Sequence, residues 1–291
     1  MPYTSHSRSF RKNQYVYPVL SRRSRGISIG INLNPDKVCN FNCIYCQVDR
    51  SGPAEKGTDL FSAQPKINLS PFLQPICHEL KETLELVKTS GIFSLSPFDR
   101  IPAELRHLSD IAISGDGEPT TSPYFYEAVE EVLKIKKGCF DDTKLVLITN
   151  ASGLNRPKVR HAIDLMYQHN GEVWAKLDAG SDAYYRKVSR TNVPLQDIVR
   201  NLILTAQRHP IVIQSCFNNI DGITPPPDEI ERYSLLLKEI SESGGKIRLV
   251  QIYTVARPPA ESYVTPLAEK ELTLIAKKVE EITDIPTEIY G

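Results

Sequence analysis

The sequence predicts an α/β fold in which six short β-strands alternate with amphipathic helices. Two observations predict this class: β-rich runs recur from about residue 27 onwards, and helical apolar patterns separate them. Successive β–α units imply a parallel sheet with right-handed crossovers. Closed or nearly closed, such a sheet is a partial (β/α)6, TIM-like barrel, and opened flat it is a doubly wound sandwich.

The strand candidates are short, β-branched and bounded by polar or turn residues. They cover 27–33, 110–114, 144–149, 173–177, 211–216 and 246–253. Ser122 and Pro123 predict the N-cap and first position of one helix, which stops at Gly138, and Thr265 with Pro266 opens the last helix. Other helices are predicted near 75–90, 157–169, 195–208 and 228–242.

The polarity of the strand faces favours the barrel. A flat sheet that is buried on both sides has apolar strands throughout, but several strands here carry polar residues on one face. These residues are Ser28, Asn32, Asn34, Trp174, Lys176, Asp178, Gln214, Cys216, Asn218, Gln251 and Tyr253. A polar lumen is costly to bury without partners. We therefore interpret this face as a site for a polar ligand and water. The alternative is that some of these strands are sheet edges.

The bulk composition is that of an ordinary globular protein without net charge. The chain has 291 residues, of which 41% are hydrophobic and 24% charged, and its formal net charge is zero. No apolar run approaches the roughly 18 residues that span a bilayer, and the basic segment 1–25 lacks the apolar stretch of a secretory signal. We expect a cytoplasmic protein with no membrane partner. Its predicted organisation is a basic N-terminal extension over 1–25 and one barrel domain over 26–291, with loop insertions at 50–74 and 92–109.

Three of the six cysteines, Cys39, Cys43 and Cys46, follow the first strand directly. Barrels and open α/β sheets hold their active sites at the C-terminal ends of strands. Thiolates suit iron–sulfur clusters or zinc, and a C-x3-C-x2-C loop can hold three corners of a cubane. A structural zinc needs a fourth ligand, which no nearby Cys or His supplies. The spacing therefore favours a cluster with one iron left open, and zinc is the alternative.

The motif C-x3-C-x-aromatic-C after a first strand resembles the signature of the radical S-adenosylmethionine (SAM) superfamily, with Tyr45 as the aromatic residue. The resemblance implies a [4Fe–4S] cluster on Cys39, Cys43 and Cys46 whose open iron chelates SAM. It also implies that an electron, supplied by a donor such as a flavodoxin or ferredoxin, cleaves SAM to methionine and a 5′-deoxyadenosyl radical. This radical then abstracts hydrogen from a substrate.

A second segment, Gly115-Asp116-Gly117-Glu118, is similar to the glycine–glutamate segment of that superfamily. Glycines let a ligand approach the backbone closely, and a glutamate can accept from the methionine ammonium. Without the resemblance, this run would be interpreted as a plain turn.

The resemblance assigns further residues to SAM. Asp178 would bind the ribose hydroxyls, Ser189 and Arg190 the carboxylate, and the backbone at Val255 the adenine, while Asn150 and Lys176 would also lie at the cofactor. The alternative for Lys176 and Asp178 is a structural ion pair. Strand alternation places Cys216 in the same lumen as Asp178. We predict either a catalytic thiol that donates a hydrogen atom or a small buried filler at that position.

The sequences of residues 115–120, 174–181 and 251–258 are similar to those of iron–sulfur oxidoreductases related to wyosine-tRNA synthases. This implies a radical SAM enzyme that acts on an unidentified substrate, for which tRNA is a candidate. The basic residues of 1–25 are compatible with phosphate contacts, and a solvated tail is the alternative explanation. Two other functions stay open: an activase that installs a radical on a partner protein, and a zinc-stabilised RNA-binding module without catalysis.

Overall fold

A computed structural model describes residues 10–48 and 70–291, and the chain divides into two compact units. The first unit comprises Met1–Val38, Arg50–Leu147 and His161–Gly171, and the second comprises Cys39–Asp49, Ile148–Arg160 and Glu172–Gly291. The beginning of the predicted basic extension and the predicted insertion up to residue 69 lie outside the described residues. Within the described ranges, no helix combines the length and the apolar character needed to cross a bilayer.

The first unit contains four neighbouring strands in the order β1-β2-β3-β4. β2, β3 and β4 are parallel, as the β–α pattern predicts, whereas β1 pairs with β2 in the antiparallel direction. The α1 helix contacts both α2 and β1. The elements are β1 Val16–Ser21, β2 Gly26–Asn32, α1 Leu73–Lys88, β3 Leu108–Ser114, α2 Phe125–Lys136 and β4 Lys144–Thr149.

The second unit repeats the parallel arrangement with the strand order β5-β6-β8-β10. Its main elements are β5 Gly171–Lys176, α4 Asp182–Ser189, α5 Leu195–Arg208, β6 Ile211–Cys216, α6 Pro227–Glu242, β8 Ile247–Tyr253, α7 Glu269–Thr283 and β10 Thr287–Tyr290. A short antiparallel pair is formed by β7 Asn218–Ile220 and β9 Val264–Pro266. The remaining helix, α3 (Pro157–Tyr167), follows β4. The six predicted strands and the predicted α/β alternation are therefore present.

The strand β1 is absent from the predicted strands and lies in the segment interpreted as a basic extension. It contains Pro18, which an edge strand tolerates because one side of such a strand needs no ladder hydrogen bonds. Glu79 of α1 accepts hydrogen bonds of 2.9–3.0 Å from the backbone N–H groups of Gln14, Tyr15 and Val16. The helix thereby fixes the chain as it enters β1.

Two predicted helix starts are wrong, one by two residues and the other by three. Ser122 and Pro123 do not open α2, which begins at Phe125, because Pro119–Thr121 forms a 3-10 turn in which the side chain of Glu118 caps the N–H of Thr120. Residues 265 and 266 belong to β9, and α7 begins at Glu269. The Glu271 side chain caps this helix by accepting from the N–H of Ala268. At Ser122 a competing local turn decides, and at Thr265 the pairing of β9 with β7 decides.

Several of the polar residues predicted on one strand face are buried and form hydrogen bonds with neighbouring polar side chains. Ser28 Oγ donates to Asp110 Oδ1 at 2.5 Å in the first unit, and Gln214 Nε2 donates to Gln251 Oε1 at 2.7 Å in the second. All four residues are less than 8% exposed. These pairs offset part of the cost of burying polar groups.

Candidate active site

The cysteine loop, residues 39–46, is held through its backbone by the end of α4. The N–H of Asn42 donates to the carbonyl of Ser189 at 3.2 Å, and that of Ile44 donates to the carbonyl of Val188 at 2.9 Å. These carbonyls belong to the last turn of α4, where no intrahelical N–H remains to bind them. The free end of one helix therefore sets the path of the loop.

Two further segments hold the loop at its ends. The amide of Asn150 donates to Oδ1 of Asn40 at 2.9 Å, and the hydroxyl of Thr191 donates to the Asn40 carbonyl at 2.9 Å. At the other end, the N–H of Ala260 donates to the carbonyl of Cys46 at 3.2 Å. The predicted site residue Asn150 thus contacts the cysteine loop. A loop fixed at several backbone groups presents its side chains with little reorganisation.

The chemistry of the three thiols fits an iron–sulfur cluster. Cys39, Cys43 and Cys46 are all partly buried, and none of them forms a disulfide. Burial raises the pKa of Cys43 to about 12; Asp178 adds to this effect, while Lys176 opposes it. A thiol in such a place keeps its proton until a metal displaces it, since metals bind the thiolate. Over residues 10–48 and 70–291, no three His, Cys, Asp or Glu side chains converge enough for a single ion. A cubane instead takes one thiolate on each of three irons.

The aromatic residue of the motif, Tyr45, connects the loop to β5. Its hydroxyl donates to Oδ2 of Asp178 at 2.5 Å and accepts from Nζ of Lys176 at 2.8 Å. Burial raises the pKa of Tyr45 well above its ordinary value, and the charge of Asp178 raises it further, so the phenol stays protonated and donates. Lys176 also donates to the Tyr253 hydroxyl at 2.9 Å.

Lys176 and Asp178 form the structural ion pair that was the alternative prediction for them. Nζ of Lys176 and Oδ2 of Asp178 are 3.9 Å apart. Burial alone would lower the pKa of Lys176, but the carboxylate of Asp178 reverses this and raises it. The second carboxylate oxygen of Asp178 accepts from the N–H of Cys216 at 2.8 Å. Both oxygens are therefore engaged inside the protein, and the contact of Asp178 with ribose stays a prediction.

Cys216 lies at the end of β6 and is 3% exposed. Its Sγ accepts from the amide of Asn218 at 3.4 Å, and the carbonyl oxygen of the same amide accepts from the N–H of Val255 at 3.0 Å. Val255, Cys216 and Tyr45 belong to one buried cluster. The strand alternation that placed Cys216 near Asp178 is thus in agreement with the structure. The sequence places Asn218 on the polar strand face with Gln214 and Cys216 but assigns it no role, because nothing in its local sequence shows which distant groups its amide reaches.

The structure gives Ser189 and Arg190 different surroundings from those the resemblance implies. Ser189 is buried, and its carbonyl holds the cysteine loop. Arg190 has a left-handed backbone (φ 46°) at the C-cap of α4, and its guanidinium binds the carboxylate of Glu261 and the hydroxyl of Tyr263. Their contact with the SAM carboxylate stays a prediction, and in this structure Arg190 is already paired with an acid.

The glycine–glutamate segment follows β3 in the first unit. Gly115 has φ +146°, and a Cβ there would lie 2.4 Å from Oδ1 of Asn32. That oxygen also lies 3.3 Å from the N–H of Asp116, and the Asn32 amide donates to the Asp116 carboxylate at 2.7 Å. Asn32, a polar-face residue of β2, therefore fixes the segment.

Gly117 and Glu118 are more tightly enclosed. A Cβ on Gly117 would come within 2.2 Å of the carbonyl oxygen of Val38, the residue before Cys39 in the chain. Glu118 is 2% exposed, and its Oε1 accepts from the N–H and the hydroxyl of Thr120 at 3.1 and 2.6 Å. The glycine is required by close packing of backbone against backbone, which a plain turn would not need.

A cysteine loop at a strand end on a parallel α/β scaffold defines an iron–sulfur enzyme class. Residues 33–237 match the Radical SAM superfamily, and the chain belongs to that superfamily. It is an enzyme of the radical SAM iron–sulfur type, a class that uses SAM and an iron–sulfur cluster. The predicted fold class, a partial (β/α)6, TIM-like barrel of the radical SAM type, is confirmed.

The chain is also similar to individual proteins. A UPF0026 protein of Helicobacter pylori is 25% identical over 258 residues, which cover 88% of this chain and 70% of that protein. A UPF0026 protein of Methanocaldococcus jannaschii is 26% identical over 276 residues, covering 91% and 70%. A solved structure described as "Structure of TYW1 with a lysine-pyruvate adduct bound" has a TM-score of 0.50 and 17% identity, covering 89% of this chain and 74% of that one. At that identity the likeness shows the fold alone.

Proposed function

We propose that Cys39, Cys43 and Cys46 hold a [4Fe–4S] cluster that cleaves SAM reductively, with an electron from a flavodoxin- or ferredoxin-type donor. When bound, the cluster and SAM supply a 5′-deoxyadenosyl radical that takes hydrogen from a substrate. The observation that carries the proposal is the backbone-held cysteine loop, in which Ser189, Val188 and Ala260 fix the chain around three partly buried thiols. The protein's part is to orient the cofactors and to exclude competing reactions.

The experiment is anaerobic purification, iron and sulfide determination, and incubation with dithionite and SAM. We expect a brown protein that contains iron and sulfide in equal amounts and releases 5′-deoxyadenosine and methionine. Cys43→Ala should lose both the colour and the product. Cys139→Ala is the matched control, because Cys139 is exposed and lies outside the cysteine loop. A wild-type protein that carries the full cluster and leaves SAM intact would contradict the proposal.

The lysine–pyruvate adduct of the TYW1 structure raises the question whether Lys176 forms such an adduct. Its ammonium donates to Tyr45 and Tyr253 and faces Asp178, and all three partners favour the charged form. A charged ammonium has no lone pair with which to attack a carbonyl. We therefore assign Lys176 a positioning role. Borohydride treatment with pyruvate, followed by intact mass measurement, should leave the mass unchanged, and a gain of mass that Lys176→Arg abolishes would contradict this.

For the substrate we propose tRNA, supported by the basic residues of the N-terminal segment. Arg22, Arg23 and Arg25 lie between β1 and β2, at the opposite end of β2 from Asn32. The seven residues of β2 span roughly 20 Å. One structured RNA can therefore reach from these arginines to the Asn32 end of the strand. Substituting these arginines with glutamine should weaken retention of tRNA and reduce its salt dependence. Unchanged retention would exclude this surface as the RNA contact.

A further inference from the structure

Arg257 of the second unit has a buried guanidinium N–H that no described residue binds. Arg257 follows β8, is partly buried, and has a buried Nε that makes no hydrogen bond to any residue of 10–48 or 70–291. Burial lowers the pKa of Arg257 from its ordinary value. Burying a guanidinium N–H without an acceptor is costly. Such a group is retained where a ligand supplies the missing hydrogen-bond acceptor.

The position of Arg257 connects it to the cysteine loop. The segment 255–260 forms an arch that is attached at both ends. At one end, the side chain of Val255 packs in the buried cluster with Tyr45 and Cys216. At the other end, the N–H of Ala260 binds the carbonyl of Cys46 at 3.2 Å. Arg257 lies within this arch, and two prolines follow it directly. Proline restricts the backbone, so the arch loses little entropy when a ligand binds.

The other two basic side chains of the site are already neutralised. Lys176 faces Asp178 and two tyrosine hydroxyls, and Arg190 is bound to Glu261 and Tyr263. An incoming anion would have to displace an acid from either of them. At Arg257 no acid of residues 10–48 or 70–291 forms an ion pair that an anion would have to break, and a guanidinium can bind an oxyanion through two parallel hydrogen bonds.

We propose that Arg257 binds an oxyanion in the site of the second unit, either the carboxylate of SAM or a phosphate of the substrate. This inference rests on the proposed function, because it is the SAM site that the arch borders. It transfers to Arg257 the recognition that the sequence resemblance assigned to Arg190. The shared chemistry is a planar cation in contact with two oxygens of a singly or doubly charged anion.

The test measures ligand affinity on cluster-loaded protein. SAM and decarboxylated SAM, which lacks only the carboxylate, are titrated into wild type, Arg257→Gln and Arg257→Lys; inorganic phosphate is titrated in parallel. Arg200→Gln is the matched control, because Arg200 lies exposed on α5 beside Asp197. Charge-assisted hydrogen bonds are strong enough that their loss should weaken binding roughly 10- to 100-fold. Arg257→Lys should recover part of the affinity, since it keeps the positive charge but cannot donate two parallel hydrogen bonds.

Each result has a defined meaning. Weakened binding of SAM with unchanged binding of decarboxylated SAM assigns Arg257 to the cofactor carboxylate. Unchanged SAM binding with lost phosphate binding assigns it to a phosphate. If Arg257→Gln binds SAM and phosphate as Arg200→Gln does, the inference is overturned. A wild-type protein that binds no SAM contradicts the proposed function instead, and the two failures are thereby distinguished.

Discussion

The hydroxyl of Tyr45 donates a 2.5 Å hydrogen bond to Oδ2 of Asp178. Because Tyr45 stands between Cys43 and Cys46 and Asp178 follows β5, this bond ties the cysteine loop to the strand beneath it. The other oxygen of Asp178 binds the N–H of Cys216 at the end of β6. One buried carboxylate thus fixes three segments, and the tyrosine has a hydrogen-bonding role beyond its ring.

Tyr45→Phe tests that role. The ring is kept, but a buried carboxylate and a buried ammonium each lose a partner. We expect the free energy of unfolding of the cluster-free protein to fall by about 1–3 kcal/mol, while the three cysteines still assemble the cluster. Urea unfolding gives the first quantity, and iron and sulfide determination gives the second. Unchanged stability would mean that water replaces the hydroxyl at no cost.

Gly117→Ala tests the packing of the glycine–glutamate segment. The added Cβ would lie 2.2 Å from the carbonyl of Val38 and 2.7 Å from Cβ of Asn34, so backbone must move. We expect SAM affinity to fall at least tenfold, because the segment or the chain before Cys39 shifts. Gly91→Ala is the control, since its Cβ would meet nothing closer than 3.4 Å. Equal SAM affinity in the two variants would disprove the steric argument.

The sequence predicts that Cys216 is either a hydrogen donor or a buried filler, and solvent isotope labelling distinguishes the two. A thiol exchanges its proton with water, so in D2O a radical that takes hydrogen from Cys216 yields deuterated 5′-deoxyadenosine. We expect deuterium in the wild-type product and its loss in Cys216→Ala, measured by mass spectrometry without added substrate. Equal deuterium content in both would leave Cys216 as a buried filler that packs beside Val255.

The alkaline stability of the protein depends on buried tyrosines such as Tyr233. Burial raises the pKa of Tyr233 above its ordinary value of 10.0, although the hydrogen bond with Ser215 acts against this. Below pH 10 the phenol is protonated in both states and has no effect. Above it the unfolded chain ionises first, so the folded state binds more protons and stability falls as pH rises. Tyr233→Phe should show a shallower fall between pH 9 and 11 in urea unfolding, on the order of one proton less. An identical slope would contradict this.

The sequence predicted those features that local patterns determine. Six strands and the cysteine loop follow from apolar periodicity and from the spacing of Cys39, Cys43 and Cys46, which are short-range properties. The partners of Arg190 were not predictable in this way, because Glu261 and Tyr263 lie about 70 residues further along the chain. The short helix α4 was also missed, although the loop depends on its last carbonyls. Such contacts are decided by tertiary packing.

The strand β1 has a consequence for any attempt to remove the basic N-terminal residues by truncation. Deleting residues 1–25 would remove β1 together with the charges and would leave the N–H and C=O groups of one side of β2 without their ladder partners. It would also leave the Glu79 carboxylate without the three amides that it binds. A bare strand edge recruits other chains and promotes self-association. A truncated protein that fails to retain RNA would thus report aggregation as readily as lost recognition, whereas charge-neutral substitutions keep the edge closed.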